Sequence, residues 1–237
     1  MKRIVISQPM LLPWAGFFEQ IKIADTFVHF EDVQFPLGRS FCSRVQVKTA
    51  LGTRWLTVPV RRQGKQLIRD VVIDDSKDWK NSHFRIMKGS YGEAPFYQTL
   101  MDLIDSIYKH NTDSISKFCI HGIEIISDFL NLECNFTLSS DYQKSTAGTE
   151  KILEIVKEEG GNVYITGHGA KNYLDHSLFE REGLKVEYMN YGLRQYPQLH
   201  GPFTPYVSII DMIAHLGEEA HELIEANTTS WKDFIKS

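Results

Sequence analysis

The sequence predicts an α/β protein with a Rossmann-like mixed sheet, an inserted β-hairpin and a helical middle region. Three observations lead to this fold class: a strand–helix–strand pattern at the amino-terminal end, helical periodicity in the middle, and further strand and helix patterns in the last third. The 237 residues, 42% hydrophobic and 24% charged, suit a single α/β domain over 1–237. Within it we expect a hairpin region at about 39–75 and a mainly helical insertion at about 78–132.

The opening segment predicts a parallel βαβ unit. Residues 4–6 are β-branched, as in a buried strand, and the loop that follows them is bracketed by two prolines. Pro13 suits the first position of a helix, which runs to about Ala24 with apolar residues at spacings of three and four. Residues 26–30 form the next strand. Two strands joined through one helix indicate a right-handed parallel crossover.

The middle of the chain changes from strand to helix periodicity. Residues 43–48 alternate polar and apolar side chains, and residues 54–60 repeat this after a Leu-Gly turn, which predicts a β-hairpin. A further strand is expected at 68–73. The helical spacing beyond it predicts three helices, over 78–91, 96–109 and 113–131.

The last third returns to an alternation of strands and helices. We expect strands at 136–138, 163–166 and 184–188, a helix capped by Ser145 or Thr146 that ends near Glu159, and a polar tail from Asn227. The final helix spans Ser208 to Glu225 with a break near Gly217. Ser208 should cap this helix, with Asp211 at its third position as in a capping box.

Charge and cysteine content exclude several classes of function. Lys and Arg total 26 against 30 Asp and Glu, so the net charge of −4 excludes a polycation that binds nucleic acid or anionic membrane with its whole surface. The three cysteines form no C-x-x-C pair and the nine histidines form no metal motif, so no metal site is predicted. Without a signal peptide or an apolar run of 18 residues, the chain is expected to be soluble and cytoplasmic, with no membrane partner.

Polar and aromatic residues at the ends of the predicted strands are candidates for ligand binding. Gln8 and Trp14 follow the first strand, where ligands bind in open α/β sheets. Gly16, inside the helix, costs about 1 kcal/mol relative to Ala. It indicates the close approach of a ligand or backbone, or tight helix–sheet packing. Neither GxxxxGK[ST] nor GxGxxG is present, and the His-x-Gly-His of nucleotidyltransferase-like folds is absent from this loop.

Two residues are candidates for a general base. Asp32, which follows the second strand together with Gln34, can deprotonate an ammonium nucleophile, bind a sugar hydroxyl or cap the next turn. His168 lies between two glycines at the end of another predicted strand, and histidine is a side chain that commonly acts as a general base near neutral pH.

The hairpin and a late loop supply further binding candidates. Positive charge is concentrated in the hairpin region, which fits either the binding of phosphate or carboxylate groups or a solvated sheet edge. The basic residues of this region are Arg39, Arg44, Lys48, Arg54, Arg61, Arg62 and Lys65. The aromatic, proline-rich loop 196–203 suits the lining of a sugar or nucleotide pocket, with Tyr196 for stacking and Gln198 for hydrogen bonds.

These residues together resemble the WbqC-like protein family over nearly the whole chain. The matching segments include Gln8-Pro9, Leu12-Pro13-Trp14-x-Gly16-Phe17-Phe18, Trp55-Leu56-Thr57-Val58-Pro59-Val60, Tyr196-Pro197-Gln198 and Ser208-Ile209-Ile210-Asp211. The resemblance implies a place in the biosynthesis of O-antigen, the lipopolysaccharide side chain, or of another surface glycan. It further implies an N-acyltransferase that transfers a glycyl or other aminoacyl group to a nucleotide-linked amino sugar.

Under this resemblance the basic hairpin holds the nucleotide diphosphate, loop 196–203 holds the sugar, and His168 or Asp32 is the base. The acyl donor stays open between aminoacyl-tRNA, a thioester on a carrier protein and an amino acid activated with ATP, and no fixed cofactor is predicted. Two other functions stay open as well. They are a non-catalytic nucleotide-sugar binding protein of the same pathway and an ATP-using ligase of nucleotidyltransferase-like fold.

Overall fold

The computed structural model describes residues 1–38 and 40–236. Within these residues the strands are β1 (Arg3–Ser7), β2 (Thr26–His29), β3 (Arg44–Thr49), β4 (Gly52–Thr57), β5 (Val60–Arg61), β6 (Val72–Ile73), β7 (Asn135–Leu138), β8 (Val163–Thr166), β9 (Lys185–Met189) and β10 (Thr228–Ser230). The α-helices are α1 (Ala15–Ile23), α2 (Trp79–Tyr91), α3 (Tyr97–Tyr108), α4 (Ile115–Phe129), α5 (Gly148–Glu158), α6 (His176–Arg181), α7 (Ile209–Leu216) and α8 (Trp231–Lys236).

A six-stranded sheet forms the centre, in the order β10-β9-β8-β1-β2-β7. From β1 the chain proceeds outward through β2 to β7, then crosses to the other side of β1 and continues through β8 to β9. These five strands are parallel, and β10 pairs with β9 in the antiparallel direction. This is a doubly wound arrangement. The predicted α/β fold class, with its mixed Rossmann-like sheet, hairpin and helical middle region, is confirmed.

Both faces of the sheet are buried, which is why its strands are almost continuously apolar. Val5, Phe27 and Ile165 belong to the hydrophobic cluster that includes residues of α1, the helical middle region and α7. Their neighbours Ile4 and Tyr164 belong to the second cluster, which includes residues of α5 and α6. Successive strand residues thus alternate between two cores.

The hairpin region contains two antiparallel ribbons. β3 pairs with β4 as predicted, and β5 pairs with β6. The prediction of a strand over 68–73 is wrong for its first half, because Ile68–Asp70 is a 3-10 turn and only Val72–Ile73 is strand. The amide of Ile68 donates to the carbonyl of Val33, so this segment pairs with the chain that leaves β2.

The predicted helix starts are wrong at two positions. The first helical residue is Ala15, not Pro13, because the Pro13 carbonyl accepts a hydrogen bond from the amide of Ile209 in the crossing α7 segment (2.8 Å). α5 begins at Gly148, whose φ of +61° allows the sharp turn into the helix. Thr146, predicted as a cap, instead donates its hydroxyl to Glu154 (2.8 Å).

The carboxyl-terminal tail, expected only as a polar segment, contains both β10 and α8. Its rings pack against the end of the sheet: Phe234 stacks on Tyr188 with ring centres 4.2 Å apart, and Trp231 stacks on His176 at 4.6 Å. The predicted break of the final helix near Gly217 is confirmed, since α7 ends at Leu216 and a 3-10 segment follows. Among the described residues, no helix is long and apolar enough to cross a membrane.

Candidate functional site

The strand order identifies one crevice at the carboxyl ends of the parallel strands. The direction of winding reverses between β1 and β8, so the loops that leave these two neighbouring strands diverge. Ligands of doubly wound sheets bind at such a reversal. Half-buried Gln8 follows the last residue of β1, and exposed His168 follows β8 after one glycine. The structure therefore brings the ends of these two predicted site segments to one edge of the sheet.

A row of aromatic rings lines this edge. The rings of His168 and Tyr191 lie 5.1 Å apart, those of Tyr191 and Trp14 lie 4.8 Å apart, and Trp14 is 6.0 Å from Tyr206. The Tyr191 hydroxyl also accepts a hydrogen bond from Gln20 of α1 (3.3 Å). The row joins the ends of β8, β9 and β1 to the segment before α7. The faces of aromatic side chains such as these can stack on the planar ring of a ligand.

Gly16 is required by the position of Trp14. A Cβ at residue 16 would lie 2.3 Å from Cη2 of the Trp14 indole, well inside any normal contact. The close approach that the sequence indicated is therefore made by a side chain that packs over the first turn of α1. Without a glycine here, the indole could not lie against the helix.

His168 is held in one tautomer. Its Nε2 lies 2.8 Å from the Met189 carbonyl oxygen, which can only accept, so Nε2 carries the hydrogen. The lone pair is then on Nδ1. A histidine oriented in this way through one nitrogen, with the other free to take a proton, is the usual arrangement of a general base.

Asp32 lies elsewhere at the same edge, near the ends of β2 and β7. Its Oδ1 accepts from the Ser139 hydroxyl (2.5 Å), and its Oδ2 forms an ion pair with Lys151 (2.5 Å). The Asp32 and Lys151 side chains are only 12% and 8% exposed. β1 lies between β2 and β8 in the sheet, and the partners of Asp32 are Ser139 and Lys151, so the structure does not bring Asp32 together with His168. Its carboxylate is already neutralised by a buried cation.

The other candidates after β2 lie away from the crevice or outside the described residues. Gln34 is exposed, and its backbone forms an isolated bridge with Leu67. Arg39 is not among the residues that the structure describes.

The hairpin cations have different environments. Arg62 donates to the carbonyls of Pro36 and Leu37 (3.1 Å each), and Arg61 faces Asp74 at 3.9 Å. Arg44 is different, because its guanidinium lies over the Trp55 ring at 4.6 Å while its buried Nη2 has no hydrogen-bond partner among the described residues.

Lys48 closes the 196–203 loop over the hairpin. Its ammonium donates to the side-chain oxygen of Gln198 (3.1 Å) and to the carbonyls of Gly201 (3.0 Å) and Pro202 (2.6 Å), and Lys48 is only 4% exposed. An ammonium has three N–H donors, so all of them are used within the chain. Lys48 thus fixes the shape of this loop.

Tyr196 and Gln198 point into a buried polar network. The Tyr196 hydroxyl donates to Asp211 (3.0 Å) and accepts from the Gln198 amide (2.9 Å).

The predicted cap of the final helix by Ser208 is confirmed, because the Ser208 hydroxyl accepts a hydrogen bond from the Ile210 amide (3.3 Å). The capping box is wrong, because the Asp211 carboxylate faces Tyr196 while the Ser208 amide donates to Gln46. Burial raises the pKa of Asp211.

Sequence reasoning missed Tyr191, Tyr206 and Glu19. Glu19 is 1% exposed and accepts a hydrogen bond from the amide of Gly192 (3.2 Å), and burial raises its pKa to about 7. It therefore ties α1 to the segment that carries Tyr191. The signal in the sequence was a carboxylate within an otherwise apolar helix, at Phe17-Phe18-Glu19.

A cavity of about 330 Å³ lies beside Trp14, between the β1 loop, β3 and the segment before α7. We call it the Trp14 cavity. Its lining is mostly apolar and consists of Met10, Leu11, Pro13, Trp14, Phe41, Val45, Gln46, Tyr206 and Val207. No group of three or more His, Cys, Asp or Glu side chains that could hold a metal ion occurs within residues 1–38 and 40–236.

Comparison with known proteins gives one family and one relative. The model of the WbqC-like protein family matches residues 8–223, a range that includes the aromatic row and the Trp14 cavity. The uncharacterized protein Rv1507c of Mycobacterium tuberculosis (strain ATCC 25618 / H37Rv) is 30% identical over 228 residues, which cover 94% of this chain and 98% of that protein. No solved structure matches.

Proposed function

The chain belongs to the WbqC-like protein family, and we propose that it is an N-acyltransferase that forms an amide on a nucleotide-linked amino sugar. The acyl group is glycyl or another aminoacyl group, and the product enters O-antigen or another surface glycan. The observation that carries the proposal is the crevice between β1 and β8, where an oriented histidine and a row of aromatic rings lie together.

The proposed chemistry needs a base beside the attacking amine. The sugar amine attacks the acyl carbonyl, and Nδ1 of His168 takes the proton that the amine loses as the C–N bond forms. The bond between the acyl group and its donor then breaks, and the donor leaves as the tRNA hydroxyl, the carrier thiol or AMP; a hydroxyl or thiol leaving group takes up the proton from His168. The bond from Nε2 to the Met189 carbonyl orients the ring and, in the neutral imidazole, leaves the lone pair on Nδ1. Asp32 is the second candidate, but protonating its carboxylate would break a buried ion pair with Lys151.

The remaining candidates take binding or positioning roles in this proposal. Gln8 and Trp14 contact the sugar, and Arg44 holds the diphosphate, for which its Nη2, unpartnered among the residues that the structure describes, is suited. Lys48, Tyr196 and Gln198 shape loop 196–203, since their polar groups bond to one another and to Asp211. For Gln34 and Arg39, substrate contact stays a prediction.

The donor in this proposal is aminoacyl-tRNA, a carrier-protein thioester or an ATP-activated amino acid. We place the reaction in the cytoplasm, because Cys42, Cys119 and Cys134 are all free thiols, as is typical of a reducing compartment.

The test is a turnover assay by mass spectrometry with UDP- and dTDP-amino sugars and each class of donor. Wild type should add one aminoacyl residue to the sugar nucleotide, whereas His168→Gln, which keeps a donor for the Met189 carbonyl, should bind it without turnover. His221→Gln is the control, because His221 also contacts a backbone carbonyl through one ring nitrogen (2.7 Å) but lies outside the crevice. Pyrophosphate release with ATP would instead indicate a ligase. Binding without product under every donor would indicate a binding protein.

A further inference from the structure

We infer that the Trp14 cavity is the subsite for the nucleobase of a nucleotide, with Arg44 on the phosphate that follows the ribose. The inference rests on the proposed function, since it specifies which part of the acceptor lies on the hairpin side of Trp14. It concerns binding alone, so it can be tested without an acyl donor.

The walls of the cavity suit a flat aromatic ring. Trp14, Phe41 and Tyr206 contribute three aromatic side chains, and the β1 loop and Val45 complete an apolar enclosure. Gln46 is the amide among the lining residues; its Nε2 donates one hydrogen to the Thr53 hydroxyl (3.3 Å), which leaves its second N–H and its carbonyl oxygen for the edge of a base. Aromatic side chains bind bases of any sequence through stacking.

The mouth of the cavity is formed by large apolar side chains in contact with solvent. Tyr206 is 64% exposed and Phe41 is 54% exposed, although both rings have an aromatic neighbour, Trp14 for Tyr206 and Trp55 for Phe41. Exposed apolar groups around a concave site are typical of ligand binding. A stacked base would cover both rings.

Arg44 supplies an independent reason to expect a phosphate at this position. It precedes the lining residues Val45 and Gln46 on β3, and Trp55 stacks on its guanidinium. Its Nη2 is buried and unpartnered among the described residues, which is unfavourable until an acceptor arrives. A phosphate oxygen satisfies that donor and compensates the charge.

The size of the cavity and this neighbouring cation together favour a nucleotide over an aliphatic acyl chain. About 330 Å³ is at the small end of ligand pockets, so it suits a base with its ribose rather than a whole sugar nucleotide. An acyl chain would fill the apolar space but leave Arg44 Nη2 without an acceptor. The sugar of the acceptor then lies on the other side of Trp14, towards His168.

The experiment is calorimetric titration with UMP, AMP, uridine and inorganic phosphate, with quenching of tryptophan fluorescence as a second readout. Tyr206→Ala should weaken UMP and uridine alike by about tenfold, because it removes one stacking face. Arg44→Gln should weaken UMP by about tenfold and leave uridine within about threefold of wild type. Tyr173→Ala and Arg181→Gln are the controls, since both residues are exposed and neither lines the cavity.

Each result bears on one of the two proposals. Equal UMP affinity in wild type, Tyr206→Ala and Arg44→Gln, with native circular dichroism, would overturn the subsite, as would the absence of any nucleotide binding. Equal losses of UMP and uridine in Arg44→Gln would overturn the phosphate contact. Nucleotide binding with the expected variant pattern but no acyl transfer would keep the subsite and reject the proposed reaction.

Discussion

Gly16→Ala should damage the crevice while leaving the protein about as stable as wild type. The new methyl group would lie 2.3 Å from Cη2 and 2.6 Å from Cζ2 and Cζ3 of the Trp14 indole. Ordinary carbon contacts are about 3.5 Å, so the ring must withdraw by about 1 Å. Because the indole is a half-buried side chain and not backbone, it can move.

The effect on stability is the difference between two small terms. Alanine gains about 1 kcal/mol over glycine in a helix interior. Displacement of Trp14 weakens its contact with Tyr191, 4.8 Å away, and an aromatic pair contributes about 0.5–1.5 kcal/mol. We therefore expect the free energy of unfolding to change by less than about 1 kcal/mol. A displacement of about 1 Å in a catalytic site, by contrast, can lower turnover by about a hundredfold.

Urea unfolding and nucleotide-sugar binding, measured on the same preparation, check both parts. Gly89→Ala is the matched control, because Gly89 lies within α2 and a methyl group added there would meet no side chain within 4 Å. It should gain about 0.5–1 kcal/mol of stability with unchanged binding and turnover. The reasoning is refuted if Gly16→Ala binds and turns over like wild type, because the position of Trp14 would then not matter.

Three further predictions concern buried polar groups. Burial lowers the pKa of His29 to about 4, so the unfolded chain takes up a proton that the folded chain resists, and wild type loses stability as pH falls from about 6.5 to 4. His29→Phe removes two buried ring nitrogens that have no hydrogen-bond partner among the described residues, the nearest carboxylate oxygen being Glu124 Oε1 at 4.0 Å from Nε2. In urea unfolding, the stability of this variant relative to wild type should rise by about 2–3 kcal/mol as the pH is lowered from 7.5 to 4.5. Burial raises the pKa of Glu19 to about 7, so the folded chain keeps this carboxyl protonated where the unfolded chain loses the proton, and wild type loses stability as pH rises from about 4.5 to 7. The stability of Glu19→Gln relative to wild type should therefore rise by about 1–3 kcal/mol between pH 5 and 8. The same dependence of unfolding free energy on pH in both proteins would contradict this. Lys48→Met removes three hydrogen bonds to loop 196–203 and should cost about 2–4 kcal/mol, whereas a loss below about 0.5 kcal/mol would show that the loop does not depend on this cation.

Local patterns were sufficient for the elements that form the sheet and for the residues at their ends. The β-branched run at 4–6 and the strand at 163–166 are where the sequence places them, and Trp14 and His168 therefore lie near the carboxyl ends of these strands, as the sequence predicts. The aromatic row could not be foreseen. Tyr191 reaches Trp14 because β9 lies beside β8 and the chain then crosses over α1, and no local pattern contains that information.

Long-range partners explain the remaining differences. Asp32 resembled a free carboxylate in the sequence because its partner, Lys151, is 119 residues away. Lys48 resembled a ligand-binding cation because the carbonyls that it binds lie about 150 residues later in the chain. β10 was missed because Thr228–Ser230 has no apolar alternation, as an edge strand paired on one side needs none.

The location of the acceptor is tested most directly by a crystal structure of the protein soaked with a UDP- or dTDP-amino sugar. We expect the base in the Trp14 cavity and the sugar amine within hydrogen-bond distance of His168 Nδ1. A ligand bound instead against Asp32 and Lys151 at the end of β2, with the crevice between β1 and β8 empty, would contradict the proposed site.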